Sequence, residues 1–287
     1  MSKLNFGMRR AKLLCQMSAN ERLDLIAEGL PIILESARGF WRAAESLKDS
    51  PRESEVLSGF AEEEAAKALI LMDAVRCPPS LINSKMGQII GNFYDHLARL
   101  IYAEAQSWKP MDVNDLRRYV DNQRRAHYLE GDMGEYILPN WNVARREGLL
   151  YADIEAYEDE KPSWNEPAGY RSMFPPMMPY ALQTTEALSA LGLFSSKGLV
   201  AVSETWGTLE FKSEESSTEA RGLTRKMLER VVQEHLQSDA ATNDDVDRIY
   251  NAWQIPMYNL EFKIMDVPLE ELERERQALM WAEMGDY

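Results

Sequence analysis

Apolar residues recur at three- and four-residue spacing through most of the chain, and strict apolar–polar alternation is nearly absent. After "SANE", residues Leu23, Ile26, Leu30, Ile33, Ala37, Phe40, Ala44 and Leu47 keep that spacing, which predicts an amphipathic helix. Gly29 and Pro31 stand where they can kink it. After "SPRE", Val56, Phe60, Ala65, Leu69, Met72 and Val75 predict a second helix, stopped by "CPPS" because proline disfavours helix in the residue before it. A third helix is predicted over "KMGQIIGNFYDHLARLIYAEAQSW", with Ile89, Phe93, His96, Leu97, Leu100 and Ile101 on its apolar side. A fourth is predicted over "DVNDLRRYVDNQRRAHYL", with Leu116, Val120 and Ala126 inward.

Helix starts carry one repeated device. A serine followed three residues on by glutamate satisfies two orphan backbone donors at once. It occurs at Ser18/Glu21, Ser50/Glu53 and Ser216/Glu219. In "SPRE" the proline also falls at the first helical position, where its missing N–H costs nothing.

The texture then changes. The stretch from Glu130 to Pro179 holds most of the Pro and Gly clusters and reads as loop, with one short strand in "LLYADIE" and a Pro-rich joint. Helical spacing resumes in "YALQTTEALSALGLF", "EARGLTRKMLERVVQEHLQS", "DDVDRIYNAWQ" and "LEELERERQALMWAEM". The class is all-α, with antiparallel neighbours expected in the first half because the connections are short.

Composition narrows the function classes. The 287 residues are 45% hydrophobic, enough for a substantial core. A net charge of -15 opposes a broad electrostatic footprint on nucleic acid or anionic membrane, so any RNA contact needs a local basic patch. Cys15 and Cys77 make no disulfide framework and no zinc spacing. The N-terminus lacks the apolar run of a signal peptide, and no window has the length to span a bilayer. The expectation is a cytoplasmic protein with no membrane partner, no metal and no cofactor.

Two stretches carry candidate chemistry. In "EEEAAK", Glu63 and Lys67 are four apart, the spacing of a helical ion pair. Glu62, Glu63 and Glu64 each point about 100° from the next, so at least one turns toward the core. In "GNFYDHLARL", His96 and Arg99 share a helix face beside apolar positions, so His96 faces a neighbouring helix. The face bearing Glu63 and Lys67 is its candidate partner, and a carboxylate beside an imidazole holds its tautomer. The plain alternatives are a solvated charge run and a buried, hydrogen-bonded histidine.

Together these stretches resemble the AbiV family of bacterial abortive-infection proteins, within the wider HEPN superfamily. The resemblance rests on the paired small residues of "ESARGFWRAAESL" and on Glu63, Glu64, Ala65, Ala66 and Lys67 leading into an apolar run. It rests also on His96 with Arg99 three on, and on Arg146, Gly148, Tyr151 and Asp153 in "RREGLLYADIE". It covers roughly residues 20–165. It implies a HEPN-like antiparallel helical bundle over 1–165, followed by a helical C-terminal extension over 166–287. It implies antiphage defence, with RNA, a phage protein or another protein as partner, and a homodimer.

HEPN proteins that cleave RNA usually carry an arginine, then four to six residues, then a histidine. The arginine stabilises phosphorane charge and the histidine moves the 2′-hydroxyl proton. At the corresponding positions before His96 stand Gly91, Ile90 and Ile89. A literal match occurs at Arg230 and His235, outside the resembling region, but residues five apart on a helix differ by about 140° and do not meet.

Arg117, Arg118, Arg124 and Arg125 fall at seven-residue spacing and form the candidate RNA footprint; pairing with the many acids is the alternative. No Glu-x-x-His metal motif, phosphate-cradling Gly loop, nucleophile elbow or dinucleotide fingerprint occurs. Two readings follow. In one, Glu63, Lys67, His96 and Arg99 form a metal-independent endoribonuclease site. In the other, the chain is a non-catalytic interaction or sensor module.

Overall fold

A computed structural model describes residues 6–155, 161–168, 177–253 and 255–285. The described residues form twelve helices and two short hairpins, so the architecture is all-α. The C-terminal tip and the Pro-rich joint at 169–176 lie outside the described residues.

Helix α2 (Ala19–Ser46) begins at Ser18 with the expected capping box: Ser18 Oγ accepts from Glu21 N at 3.3 Å, and Ser18 N donates to Glu21 Oε2 at 2.8 Å. Pro31 sits inside the helix without ending it. The buried stripe is Ile26, Leu30, Leu34, Ala37, Trp41 and Ala44; Ile33 and Phe40 flank it half-buried.

Helix α3 (Pro51–Arg76) runs back along α2. Ser54 Oγ donates to the Ala44 carbonyl at 2.8 Å, and the Phe40 and Phe60 rings lie 5.5 Å apart, which fixes an antiparallel pair. Ser50 makes no side-chain cap; Pro51 at the first turn starts the helix instead. From Ala61 onward α3 is buried on most sides, and its alanines let α5, α8 and α9 approach closely.

The predicted third helix is broken. Helix α4 (Ile82–Tyr94) ends and α5 (His96–Ala105) begins at Asp95, whose extended backbone (ψ 128°) cannot continue a helix. Asp95 Oδ1 accepts from Ala98 N at 2.9 Å, which caps α5. An apolar stripe that runs unbroken through the junction hides this turn, because both helices bury the same side. Helix α1 (Phe6–Gln16), which the pattern did not predict, packs on α4 and buries Ala11.

Helix α6 (Val113–Gln123) stops earlier than predicted. His127–Glu130 (β1) pairs antiparallel with Tyr136–Pro139 (β2), in register His127 with Pro139. Gly131 and Gly134 take positive φ in the turn. Helix α7 (Trp141–Leu150) takes Leu149 and Leu150 out of the predicted strand, leaving Asp153–Glu155 (β3) to pair with Ser163–Asn165 (β4).

The C-terminal half contributes α8 (Tyr180–Ala190), α9 (Ser196–Trp206), α10 (Ser217–Gln233), α11 (Asn243–Ala252) and α12 (Leu269–Gly285). The Ser216/Glu219 capping box forms as expected. Helix α9 was not foreseen; Gly192, at φ 74°, turns the chain between α8 and α9.

A single hydrophobic cluster runs from Ala11 through α2, α3 and α5 to Phe262, and so joins both halves. A buried polar knot sits inside it. Asp73 Oδ1 accepts from Arg76 Nε at 3.0 Å, and Asp73 Oδ2 accepts from Tyr102 Oη at 3.1 Å and Met257 N at 2.6 Å. The Arg76 guanidinium lies against Trp206 and Trp253, 4.8 and 4.3 Å from their ring centroids. Every acceptor site of a charge this deep needs a donor, and Asp73 draws donors from three segments.

Candidate acid–base site

The three adjacent acids of α3 point three ways, as the helical geometry requires. Glu64 pairs with Lys67 on the same helix. Glu63 turns inward to α5 and α7, and its side chain is 5% exposed. Glu62 faces a cavity beside α7.

Glu63 is a hub. Its Oε2 accepts from His96 Nδ1 at 2.7 Å and from an Arg99 terminal nitrogen at 3.2 Å. Its Oε1 accepts from Arg146 Nε at 2.7 Å. A carboxylate buried this deeply persists because guanidinium groups from two helices surround it.

The break at Asp95 creates this arrangement. It places His96 in the first turn of α5, where its side chain is 56% exposed while Nδ1 still reaches Glu63. Arg99, one turn on, donates from Nε to the Phe93 carbonyl at 3.1 Å and from its second terminal nitrogen to the Tyr94 carbonyl at 2.9 Å. Those are orphan carbonyls at the end of α4. Arg99 therefore ties three things together: the end of α4, the start of α5 and Glu63.

The consequence for His96 is specific. A carboxylate only accepts, so Nδ1 carries a proton, and in the neutral ring Nε2 is the nitrogen left with a lone pair. The imidazole is oriented by a fixed anion and half-open to solvent, the arrangement of a histidine that accepts a proton from an outside group.

Of the four predicted residues, the structure brings Glu63, His96 and Arg99 together. Lys67 is not part of the set: its Nζ is held by Glu64 and lies 5.7 Å from the Phe93 ring centroid. Glu64, three residues before Lys67, takes the lysine in place of Glu63, four before it, because Glu63 is engaged elsewhere. Arg146 takes the place expected for Lys67. It arrives from 83 residues away, so no local spacing could reveal it.

The candidate RNA footprint is largely paired. Arg117 donates to Asn114 and to the Lys212 carbonyl, and Arg118 contacts Asp115 at 3.4 Å. Arg124 bonds Asp121 and the Lys263 carbonyl. Arg125 bonds both oxygens of Glu275 at 2.9 Å and lies 3.7 Å from Glu271. Arg124 and Arg125 are mostly buried and hold the α6 end against the C-terminal segment; Arg118 stays exposed.

Arg230 and His235 do not share a site. Arg230 bonds Glu234 and Glu204, each at 2.9 Å, while His235 lies beyond the end of α10 with φ 53°.

Among the described residues no cluster of three or more His, Cys, Asp or Glu has the arrangement of a metal site, and no helix is long and apolar enough to cross a membrane. Compared with protein-family models, with curated proteins and with solved structures, the chain matches none of them.

Proposed function

We propose that the chain is a bacterial antiphage defence protein of the abortive-infection type, working in the cytoplasm, with His96 as the acid–base group of a metal-independent RNA cleavage. One observation carries this reading: an imidazole that is half-exposed on one side and held at 2.7 Å by a buried carboxylate on the other. In the reaction, His96 Nε2 takes the proton of a ribose 2′-hydroxyl. The 2′-oxygen attacks the adjacent phosphorus, the bond to the 5′-oxygen breaks, and a second acid protonates that oxygen. The products are a 2′,3′-cyclic phosphate and a 5′-hydroxyl end.

Arg99 is spent on Glu63 and two carbonyls, so it positions the dyad and leaves the phosphate to another cation. A homodimer that joins two such sites supplies one from the second copy. The HEPN likeness of the bundle belongs to this same proposal.

The saturation of Arg99 also favours a second reading, a non-catalytic interaction or sensor subunit in which the cluster serves structure. His96→Ala separates the two. RNA integrity in expressing cells and cleavage by purified protein are measured, with a circular-dichroism melt as the folding control. Loss of cleavage in a folded variant supports the acid–base role. Undiminished cleavage ends it, and no cleavage by either protein favours the second reading.

A further inference from the structure

Behind the Glu63 hub, α3, α5 and α7 line a half-open cavity of about 160 Å³. Its walls divide by chemistry. Phe60, Leu100 and Leu149 give an apolar part. Four carboxylates and two guanidinium groups give the polar part: Glu55, Glu62 and Glu63 from α3, Glu104 from α5, and Arg145 and Arg146 from α7.

The cations are already engaged. Arg145 bonds Glu55 at 3.3 Å, and Arg146 bonds Glu63 at 2.7 Å. Glu62 makes no hydrogen bond to a described residue. Tyr119 and Asn142 lie near Glu104, and its Oε2 is buried without a hydrogen-bond partner. A buried acceptor left open beside an empty space marks a place where a donor belongs.

We propose that this cavity binds a small organic cation, an ammonium group on an apolar body, with the cation between Glu62 and Glu104 and the body against Phe60, Leu100 and Leu149. The volume sets the size: a cavity of about 150 Å³ holds a benzene ring. The excess of carboxylate over guanidinium sets the charge. The apolar wall sets the body, since a bare metal ion gains nothing from it. The site shares only its Glu63–Arg146 wall with the His96 cluster, and the proposal stands without RNA cleavage.

The site also predicts its own pH dependence. Burial pushes Glu62 up to about 7, against Arg145, with Glu104 and Glu63 adding to the rise. Glu104 is raised too, by burial, against Asn142, Tyr119 and Arg145. A cation therefore meets a mostly neutral Glu62 in mild acid and a charged one in mild base.

The test is equilibrium binding of benzylamine to the full chain by calorimetry, with benzyl alcohol and benzoate as neutral and anionic controls of the same shape. At about pH 8 benzylamine is expected to bind at least tenfold tighter than either control, and about tenfold weaker at about pH 6. Glu62→Gln is expected to abolish the preference over benzyl alcohol. Gly59 lines the cavity, and a Cβ there meets no atom within 4 Å. Gly59→Leu is therefore expected to block benzylamine while the chain stays folded. Equal binding of the three probes, no binding of benzylamine up to about 10 mM, or a preference that survives Glu62→Gln overturns the proposal.

Discussion

Glu62 makes a quantitative demand on stability. Its carboxyl is pushed from the ordinary 4.5 to about 7, first by burial and then by Glu104 and Glu63, with Arg145 opposing. A folded-state value above the unfolded one means that the folded chain holds its proton longer. The stability this confers is complete below about pH 4.5 and is lost as pH climbs through about 7. Between about pH 5 and about pH 8 the loss from this one group is on the order of 2 kcal/mol. Glu62→Gln keeps the shape and removes the ionisation. It is expected to change little at the lower pH and to raise stability by roughly 2 kcal/mol at the higher one. Urea unfolding followed by tryptophan fluorescence, on both proteins at both pH values, measures this as a double difference in which titrating groups not coupled to Glu62 cancel. An equal effect of the substitution at the two pH values refutes the reasoning, because it means Glu62 is ionised alike in the folded and unfolded chains.

Two further substitutions probe the buried charges. Asp73→Ala leaves Arg76, Tyr102 and the Met257 amide without their acceptor and is expected to cost about 4 kcal/mol or more, whereas Asp73→Leu with Arg76→Met recovers most of it; urea midpoints check both. Glu63→Ala removes the common acceptor of Arg99 and Arg146 and is expected to cost about 3 kcal/mol, while Glu63→Gln keeps more stability but lowers any RNA-cleaving rate about 10²-fold, read by denaturation and by cleavage kinetics.

The parts of the fold written locally could be read locally. Ser18/Glu21 and Ser216/Glu219 act within one turn, and both helix starts stand where that spacing puts them. Asp95 is also a local signal, an N-cap residue in front of His96, but it sits in a stripe whose period continues across the break. Periodicity reports which side is buried and not whether the axis turns. Ser50 shows the reverse: the motif is present, yet the backbone conformation before Pro51 leaves its side chain unused. At the site, Glu63, His96 and Arg99 were legible because adjacent helices bring them together. Arg146 was legible only as part of the stretch that carries the resemblance; its tie to Glu63, like the place of Glu104 in the cavity wall, comes from a distant helix. The arginines of α6 looked like an outward face because their spacing is regular. The acids that pair with Arg125 come from Glu271 and Glu275, far along the chain.

The Asp73 knot has a consequence for how the chain is made. The Met257 amide that completes it lies 184 residues further on, and the Trp253 ring that covers Arg76 comes only slightly earlier. While a ribosome is still reading the intervening codons, the last turn of α3 must keep its charges hydrated, and the packing around it stays unsealed. The nascent N-terminal half is thus held short of its final state until residue 257 has emerged. Final closure around α3 therefore waits for the segment that carries Trp253 and Met257, and the Glu63 hub is carried on the same helix.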